Sequence, residues 1–310
     1  MKKIFVEQIH ERDVIESPFL VRDKTLAMAK NGKPYMTVKL IDRTGEIEGR
    51  IWDRVDEFNA LFDRDDFIVV HGKASTYLNK KQLVISHLRK ISEDTIDLAD
   101  FLPVSPRNNA EMRNELQTLV ASLRDPSLRA LAESFFNDAG LLCAFATAPA
   151  AKTMHHAYIG GLIEHSLAIA ALVDLVAPRY PALNRDLMIL GALLHDIGKI
   201  DELSYVRSFD YTDEGKLIGH IVMGVEMIDE RIRTLPDFPR RTAMLVKHLI
   251  LSHHGQYDYG SPKRPKTLEA IVLNFLDDLD SKINGVSAHM EREAESPSDW
   301  TSHHRLYDRY

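Results

Sequence analysis

The sequence predicts a multidomain α and β protein, with an N-terminal five-stranded β-barrel followed by an all-α helical bundle. The apolar pattern is short and strand-like over residues 17–91 and changes to helical periodicity after residue 108. The chain has 310 residues, which is longer than an average single domain and is typical of two domains. We therefore expect a barrel at 1–92, a linker and helical connector at 93–150, and the bundle at 151–310.

Five segments rich in β-branched and aromatic residues predict the strands of the barrel. They lie at residues 19–21, 36–41, 47–52, 67–70 and 83–85. Turn-forming residues separate them, and a short helical stretch at 55–62 comes before the fourth. Five strands with a helix before the fourth is the order typical of an OB fold, which commonly binds single-stranded nucleic acid.

Composition narrows the classes of protein and of metal site. Hydrophobic residues make up 45% and charged residues 27% of the chain, as in soluble globular proteins. Because no stretch approaches about 18 uninterrupted apolar residues, we expect no membrane partner and a cytoplasmic location. Cys143 is the single cysteine, which excludes an internal disulfide and a cysteine metal cluster. Any metal must then be held by histidine and carboxylate.

Charge differs between the two halves. Residues 1–91 contain 17 Lys and Arg against 14 Asp and Glu, whereas residues 92–310 contain 22 against 32. Phosphate binding relies on clustered Lys and Arg, so the basic half suits nucleic acid. An acidic second half is typical of a cation site built from carboxylates.

Histidine and aspartate recur at predicted helix ends in the second half. His165 lies near the start of one helix, and the pair His195-Asp196 ends another. Gly198 follows that pair and offers a residue that can take the left-handed conformation and stop the helix. Neighbouring helix residues diverge by about 100°, so His195 and Asp196 can flank a cation.

Three further motifs complete the set. His220 begins a later helix, His253-His254 ends one, and a final apolar helix carries Asp277, Asp278 and Asp280. Burying several imidazoles and carboxylates costs several kcal/mol unless something pairs with them, and divalent cations are the usual partner. Mixed ligands of this kind suit manganese, iron, cobalt or zinc better than calcium or magnesium alone.

The ordered set His, His-Asp, His, His-His, Asp resembles the HD phosphohydrolase superfamily in its two-metal form, similar to the HD-GYP phosphodiesterases. With the barrel ahead of it, the chain resembles the YhaM family of 3′-5′ exoribonucleases. Segments 152–158, 161–167 and 276–282, together with Trp300-Thr301, carry this resemblance over nearly the full length.

The resemblance implies two divalent ions, with a single ion as the alternative. Manganese is expected first, and iron, cobalt, zinc or magnesium are the other candidates. The first ion would have four ligands, namely His165, His195, Asp196 and Asp277. The second would share Asp196 and have three further ligands, namely His220, His253 and His254. Asp280 lies one helical step from Asp277 and competes with it as the final ligand.

The expected chemistry is hydrolysis of a phosphodiester. A cation lowers the pKa of water and supplies hydroxide for in-line attack on phosphorus, with Asp196 at the catalytic centre. Lys199 either neutralises the phosphoryl oxygens or only interacts with a helix dipole. His155 and His156 either contact substrate phosphate or support the ligands.

The barrel is expected to deliver nucleic acid to this site. Candidate residues for stacking on bases are Tyr35, Trp52 and Tyr77, with Trp52 the one most expected to pack inward. Candidate phosphate contacts are the predicted loop residues Lys30, Lys33, Lys80 and Lys81.

Three functions remain open at this point. The first is a 3′-5′ exonuclease that releases nucleoside 5′-monophosphates from single-stranded RNA, with single-stranded DNA as a further substrate to test. The second is a phosphohydrolase of small or cyclic nucleotides, since the fold alone does not choose a substrate. The third is a non-catalytic protein that binds single strands and holds a structural metal. A homo-oligomer is compatible with all three.

Overall fold

The computed structural model describes residues 3–29, 32–78, 80–153, 155–205, 209–294, 298–305 and 307–309. The chain forms two compact units, Met1–Val104 and Ser105–Tyr205 with Phe209–Tyr310. The first unit is a closed five-stranded barrel and the second is helical, which confirms the predicted fold class. Residues 93–104 lie in the barrel unit, and residues 105–150 lie in the helical unit.

The barrel closes in the strand order β1-β2-β3-β5-β4. Its elements are β1 (Val14–Met28), β2 (Pro34–Asp42), β3 (Gly45–Ile51), α1 (Val55–Leu61), β4 (Phe67–Tyr77) and β5 (Lys80–Lys90). The first strand is long enough to pair with β4 over residues 14–20 and with β2 over residues 20–28. The parallel pair of β3 and β5 closes the barrel.

Alternation along the strands builds the barrel core. Met36, Val38 and Leu40 of β2 are fully buried, whereas Lys39 between them is exposed, because successive side chains of a strand point to opposite faces. At Gly49 of β3 a Cβ atom would lie 2.6 Å from side-chain atoms of both Val38 and Ile85. A glycine is therefore needed for the strands to pack this closely.

Residues 93–104 pack in the barrel unit, although Pro103, Pro106 and the pair Asn108-Asn109 predicted a linker in this region. Two short 3₁₀ turns, Glu93–Thr95 and Leu98–Asp100, are followed by the buried residues Phe101 and Leu102. The ring of Phe101 lies 5.0 Å from that of Phe67, edge to face. Burial of this apolar pair outweighs the turn composition that surrounds it.

Ten helices and one small hairpin make up the described part of the helical unit. They are α2 (Asn109–Ser122), α3 (Pro126–Phe136), α4 (Ala139–Thr147), α5 (Gly161–Val176), α6 (Arg185–Leu194), α7 (Lys199–Glu202), β6 (Leu203–Ser204), β7 (Asp210–Tyr211), α8 (Asp213–Leu217), α9 (His220–Thr234), α10 (Arg240–Ser252) and α11 (Leu268–Arg292). The side chains of Asn108, Asp125 and Asp138 accept hydrogen bonds from the first-turn amides of α2, α3 and α4, which fixes where those helices begin.

The most apolar helix lies in the core of the helical unit. The segment Gly161–Arg179 has a mean hydropathy of 1.5 and passes a length and composition test for a membrane span, which the count of uninterrupted apolar residues did not anticipate. Its side chains Leu162, Leu167 and Ile169 are fully buried in the protein core. A buried core helix passes the same test, so this finding is weak evidence for a membrane.

Candidate metal centre

Five helices present the predicted ligands, most of them at or near a helix end and Asp277 from the middle of α11. His165 lies in the second turn of α5, and His195 and Asp196 directly follow α6. His220 is the first residue of α9. The remaining ligands are provided by the end of α10, which carries His253 and His254, and by α11, which carries Asp277. The structure brings all seven of them together in two adjoining groups.

The first group contains His165, His195, Asp196 and Asp277. The Nε2 atoms of His165 and His195 lie 3.2 Å apart, and Asp277 Oδ1 lies 3.2 Å and 3.9 Å from them. Asp196 Oδ2 lies 3.7 Å from His165 Nε2 and 3.3 Å from His195 Nε2. Ligands at about 2.1 Å from one ion lie about 3–3.5 Å apart at ordinary coordination angles. These four atoms could therefore hold a single cation.

The second group contains His220, His253 and His254, whose ligand atoms lie within 4.8 Å of one another. The other oxygen of Asp196, Oδ1, lies 3.4 Å from His220 Nε2 and 3.5 Å from His253 Nε2. Asp196 thus faces one group with each of its oxygens, which is the arrangement that a bridging carboxylate requires.

The five histidines that would bind through Nε2 share the same kind of Nδ1 contact. Each Nδ1 lies 2.7–3.0 Å from an oxygen that can only accept a hydrogen bond, so Nδ1 carries the hydrogen. The acceptors are Asp280 for His165, Ala192 O for His195, Glu202 for His220, Ile250 O for His253 and Tyr259 O for His254. In the neutral ring Nε2 then has its lone pair free, as a metal ligand needs.

Unsatisfied buried atoms support a cation at this place. Asp196 Oδ1, His220 Nε2 and His253 Nε2 are buried and have no hydrogen-bond partner among the described residues. Leaving a buried polar group unpaired costs about 1–3 kcal/mol, and here three such atoms face one another. A divalent cation would satisfy all three, so these residues fit the metal that the HD fold implies.

Asp277 and Asp280 contact opposite sides of the same imidazole. Asp277 Oδ1 approaches His165 Nε2, whereas Asp280 Oδ2 lies 2.7 Å from His165 Nδ1 and 2.9 Å from His156 Nε2. The His156 Nδ1 atom is in turn 2.7 Å from the hydroxyl of Tyr158. Asp280 is therefore placed to orient His165, with Asp277 placed among the ligand atoms. His156 is buried behind the ligands and supports them.

The pKa values of His165 and Asp196 are shifted from their usual values in this cluster. Burial lowers the pKa of His165, but hydrogen bonds with Asp277 and Asp280 outweigh burial and raise the pKa to about 9. Burial raises the pKa of Asp196, but the charges of Lys199 and His195 outweigh it and hold the pKa well below its usual range. The carboxylates are therefore ionised at neutral pH, as metal ligands must be.

Lys199 is buried and forms an ion pair with Asp196. Its Nζ atom lies 2.6 Å from Asp196 Oδ2. Burial lowers the pKa of Lys199, but the Asp196 charge outweighs burial and raises the pKa, so the ammonium group keeps its proton. Lys199 lies on the short helix α7, beyond the end of α6.

An open cavity of ≈ 500 Å³ gives access to the ligands. Asp196, Lys199 and Asp277 line it, together with His155. Burial and the nearby Lys199 charge lower the pKa of His155 to about 3, so its imidazole is neutral at the cavity wall. A cavity of this volume is within the range of small-molecule sites.

Gly198 does not take the left-handed conformation that the sequence predicted, since its φ is -65°. It is needed for close packing instead. A Cβ atom on Gly198 would lie 2.1 Å from the backbone oxygen of His220 and 2.7 Å from the amide nitrogen of Gly224. The backbone after Asp196 therefore touches the first turn of α9, which brings His220 next to Asp196.

Two supporting residues were missed by the sequence analysis. Glu202 Oε1 accepts hydrogen bonds from both the backbone amide and Nδ1 of His220, each at 2.9 Å. Asn274 Nδ2 donates to the backbone oxygen of His253 at 2.6 Å. Glu202 lies seven residues after His195 on a separate short helix, so no helical spacing in the sequence pointed to it.

The barrel has a separate candidate surface formed by exposed aromatic residues. The rings of Tyr35 and Trp52 stack with centroids 4.9 Å apart, and the Arg50 guanidinium lies 5.4 Å above the Tyr35 ring. Trp52 is 48% exposed and Tyr77 is 64% exposed, and both line a cavity of ≈ 410 Å³ with Tyr35. The prediction that Trp52 packs inward was wrong. Gly49 and Ile51 face the core, so alternation turns Trp52 outward.

The predicted phosphate contacts of the barrel are placed differently from one another. Lys33 is exposed between β1 and β2. Lys80 and Lys81 are the first two residues of β5 rather than loop residues, because β4 and β5 extend as far as the tip of their hairpin. Lys81 Nζ donates to the backbone oxygen of Ile9 at 2.8 Å. Lys30 lies outside the described residues.

Comparison with known proteins gives consistent domain assignments. The family model described as an OB-fold nucleic acid binding domain matches residues 20–91, and that of the HD domain matches residues 162–282. The 3′-5′ exoribonuclease YhaM of Bacillus subtilis (strain 168) is 32% identical over 301 residues, which covers 97% of this chain and 94% of that protein.

Two further relatives agree with this comparison. YhaM of Geobacillus sp. (strain WCH70) is 34% identical and covers 93% of this chain and 87% of its own length. YhaM of Halalkalibacterium halodurans is 34% identical and covers 90% of this chain and 87% of its own length. The likeness therefore spans both the barrel and the helical unit, as the sequence motifs predicted. Since this level of identity extends over nearly the whole chain, the chain belongs to the YhaM family of 3′-5′ exoribonucleases.

Proposed function

We propose that this protein is a metal-dependent 3′-5′ exoribonuclease that hydrolyses single-stranded RNA to nucleoside 5′-monophosphates. The observation that carries the proposal is Asp196, whose two oxygens face two separate groups of histidines within an open cavity. Membership of the YhaM family supports the reaction and its direction. The OB-fold barrel supports a single-stranded substrate.

The proposed metal ligands follow the two groups. One ion would be held by His165, His195, Asp196 and Asp277. The other would be held by Asp196, His220, His253 and His254. We propose manganese because mixed imidazole and carboxylate ligands suit it better than calcium. A divalent cation would supply hydroxide near neutral pH and would neutralise charge on the phosphoryl oxygens.

The residues of the chain would then orient the substrate and balance its charge. Lys199 keeps its proton beside Asp196, so its ammonium group can pair with a phosphoryl oxygen as charge develops there. His155 is neutral at the cavity wall and can form a hydrogen bond with the departing nucleotide. Asp280 and Glu202 hold His165 and His220 in fixed orientations and do not touch the substrate.

We propose that the exposed aromatic surface of the barrel stacks on RNA bases. Trp52 and Tyr35 already form a stacked pair, and Arg50 adds a positive charge beside them. Stacking on one aromatic side chain contributes about 1–3 kcal/mol per base. Trp52→Ala is therefore expected to weaken binding of single-stranded RNA by about 1–3 kcal/mol, measured by fluorescence anisotropy with a chelator present. Tyr180→Ala, an exposed aromatic change in the helical unit, should leave the affinity unchanged.

The proposed activity is tested with 5′-labelled single-stranded RNA and DNA. With manganese, we expect a ladder of products that shorten from the 3′ end of RNA, and with chelator no products. Release of nucleoside 5′-monophosphates is measured by chromatography. Hydrolysis of small or cyclic nucleotides alone would support a small-molecule phosphohydrolase instead. Binding without cleavage in manganese would contradict any enzymatic role.

A further inference from the structure

A large cavity of the helical unit lies along α10, away from the buried face of that helix. Its volume is ≈ 940 Å³. We call it the cationic groove and define it by six of its lining residues, namely Arg240, Arg241, Met244, Lys247, Lys263 and Lys266. Apolar side-chain surface makes up most of the lining of the cavity, and Met244 is 60% exposed.

Positive charge is concentrated in the segment that forms this groove. Residues 240–266 contain six Lys and Arg and one Asp. By contrast, residues 92–310 as a whole contain 22 Lys and Arg and 32 Asp and Glu. In the part of the chain that the structure describes, no carboxylate lines the groove. A positive region on an otherwise acidic unit produces a local field that attracts polyanions.

Most of these cations have no carboxylate partner. Within the described ranges, no ion pair is formed by Arg240, Arg241, Lys263 or Lys266, whereas Lys247 Nζ lies 2.9 Å from Asp229. Four neighbouring cations repel one another, and an anionic ligand would relieve that repulsion. Their side chains are also exposed and therefore accessible to such a ligand.

The groove and the candidate metal centre both involve helix α10. Helix α10 has 13 residues and is about 20 Å long, with Arg240 at its start and His253 directly after its end. Two hydrogen bonds donated by backbone amides hold the segment of residues 263–266 along this helix. Lys263 N donates to Leu251 O at 3.1 Å, and Lys266 N donates to His248 Nε2 at 2.9 Å. The lining residue Leu251 comes two residues before His253 in the chain.

We propose that the cationic groove binds the sugar–phosphate backbone of the RNA strand on the 5′ side of the scissile bond. This inference rests on the proposed exonuclease function and adds a binding site to it. Lys and Arg contacts to phosphate are independent of sequence, which suits an enzyme that moves along a strand. The exposed Met244 and the half-buried Leu251 offer an apolar floor for the bases.

The test compares two variants with the same change of net charge in the full-length protein. The groove variant is Arg241→Gln/Lys263→Gln/Lys266→Gln. The matched control is Arg179→Gln/Arg233→Gln/Arg305→Gln, which neutralises three exposed cations elsewhere in the helical unit. Each is assayed with manganese on a dinucleotide and on an RNA longer than the about 4–16 nucleotides that an OB fold covers.

For the groove variant we expect KM on the long RNA to rise about 10-fold at moderate salt, with kcat on the dinucleotide unchanged. The slope of log affinity against log salt, measured with chelator present, should become shallower by about 0.7 for each phosphate of a single strand that the variant no longer neutralises. The control variant should behave as the wild type in both measurements.

Three results would overturn the proposal. Equal effects of the two variants on long RNA would mean that only net charge matters. An equal effect of the groove variant on the dinucleotide would place these cations at the reaction site itself. A change in molecular mass in solution on mutation of the groove would assign the groove to contact with a second copy. Strand binding that depends on the groove without any cleavage would leave this inference standing and refute the exonuclease function.

Discussion

Asp196→Asn is expected to remove RNA cleavage almost completely. Among the residues that the structure describes, Asp196 is the one carboxylate whose two oxygens face both histidine groups, so its loss disturbs both candidate ion positions. Cations supply several kcal/mol of transition-state stabilisation, and about 4 kcal/mol corresponds to about 1,000-fold in rate. We therefore expect the rate of RNA shortening to fall by at least about 1,000-fold. The metal content after equilibration with manganese, measured by mass spectrometry, should fall below that of the wild type.

Folding must be separated from metal loss in this variant. Asp196→Asn leaves the buried Lys199 ammonium without its carboxylate, and breaking a buried pair costs about 3–5 kcal/mol. The double variant Asp196→Asn/Lys199→Met removes both charges and should unfold near the wild-type temperature while it stays poor in metal. Asp201→Asn makes the same chemical change at an exposed position nearby and should keep full activity. Wild-type metal content and cleavage in Asp196→Asn would refute the bridging role.

Asp280→Asn is expected to weaken manganese binding by about 10–100-fold, the usual effect of changing a residue that orients a metal-ligating histidine. Asp280 accepts hydrogen bonds from His165 and His156. Burial raises the pKa of Asp280, but these hydrogen bonds outweigh burial and lower the pKa, so the oriented histidine faces an ionised carboxylate. Titration calorimetry with manganese measures the change directly.

Rescue by metal distinguishes an orienting residue from a ligand. At saturating manganese the activity of Asp280→Asn should return close to that of the wild type, whereas Asp277→Asn should stay inactive. Glu291→Gln removes a charge from an exposed position on the same helix and should bind manganese normally. If Asp277→Asn were rescued and Asp280→Asn were not, the two aspartates would have the opposite roles.

The residues that could be found from sequence are those whose position follows from a helix boundary. His195-Asp196, His220 and His253-His254 each lie where a helix begins or ends, and such boundaries leave a signal in the apolar pattern. The runs of β-branched and aromatic residues and the turns between them likewise predicted the strands of the barrel. In each case the signal is local, within one or two turns of chain.

Features that depend on packing between distant segments could not be found in this way. Choosing between Asp277 and Asp280 requires the rotation of α11 about its axis, which the packing of the whole helix sets. Position 198 requires glycine because the backbone there touches α9, and not because of its φ angle. The sequence does not show that α9 lies next to this position. The cationic groove combines α10 with a segment folded back along it. The apparent exception is Trp52, whose outward direction the alternation of β3 would have given.

The contact at Gly198 also determines what kind of change the metal centre can tolerate. Because main-chain atoms of Gly198 and His220 touch there, the separation of the two histidine groups is fixed by the backbone and not by adjustable side chains. A single methyl group at this position would clash with the backbone of α9 and would push the loop that carries Asp196 away from that helix. Ligand groups held at a fixed separation would place two cations where both could act on one phosphate, and moving the groups apart would leave each cation to act alone.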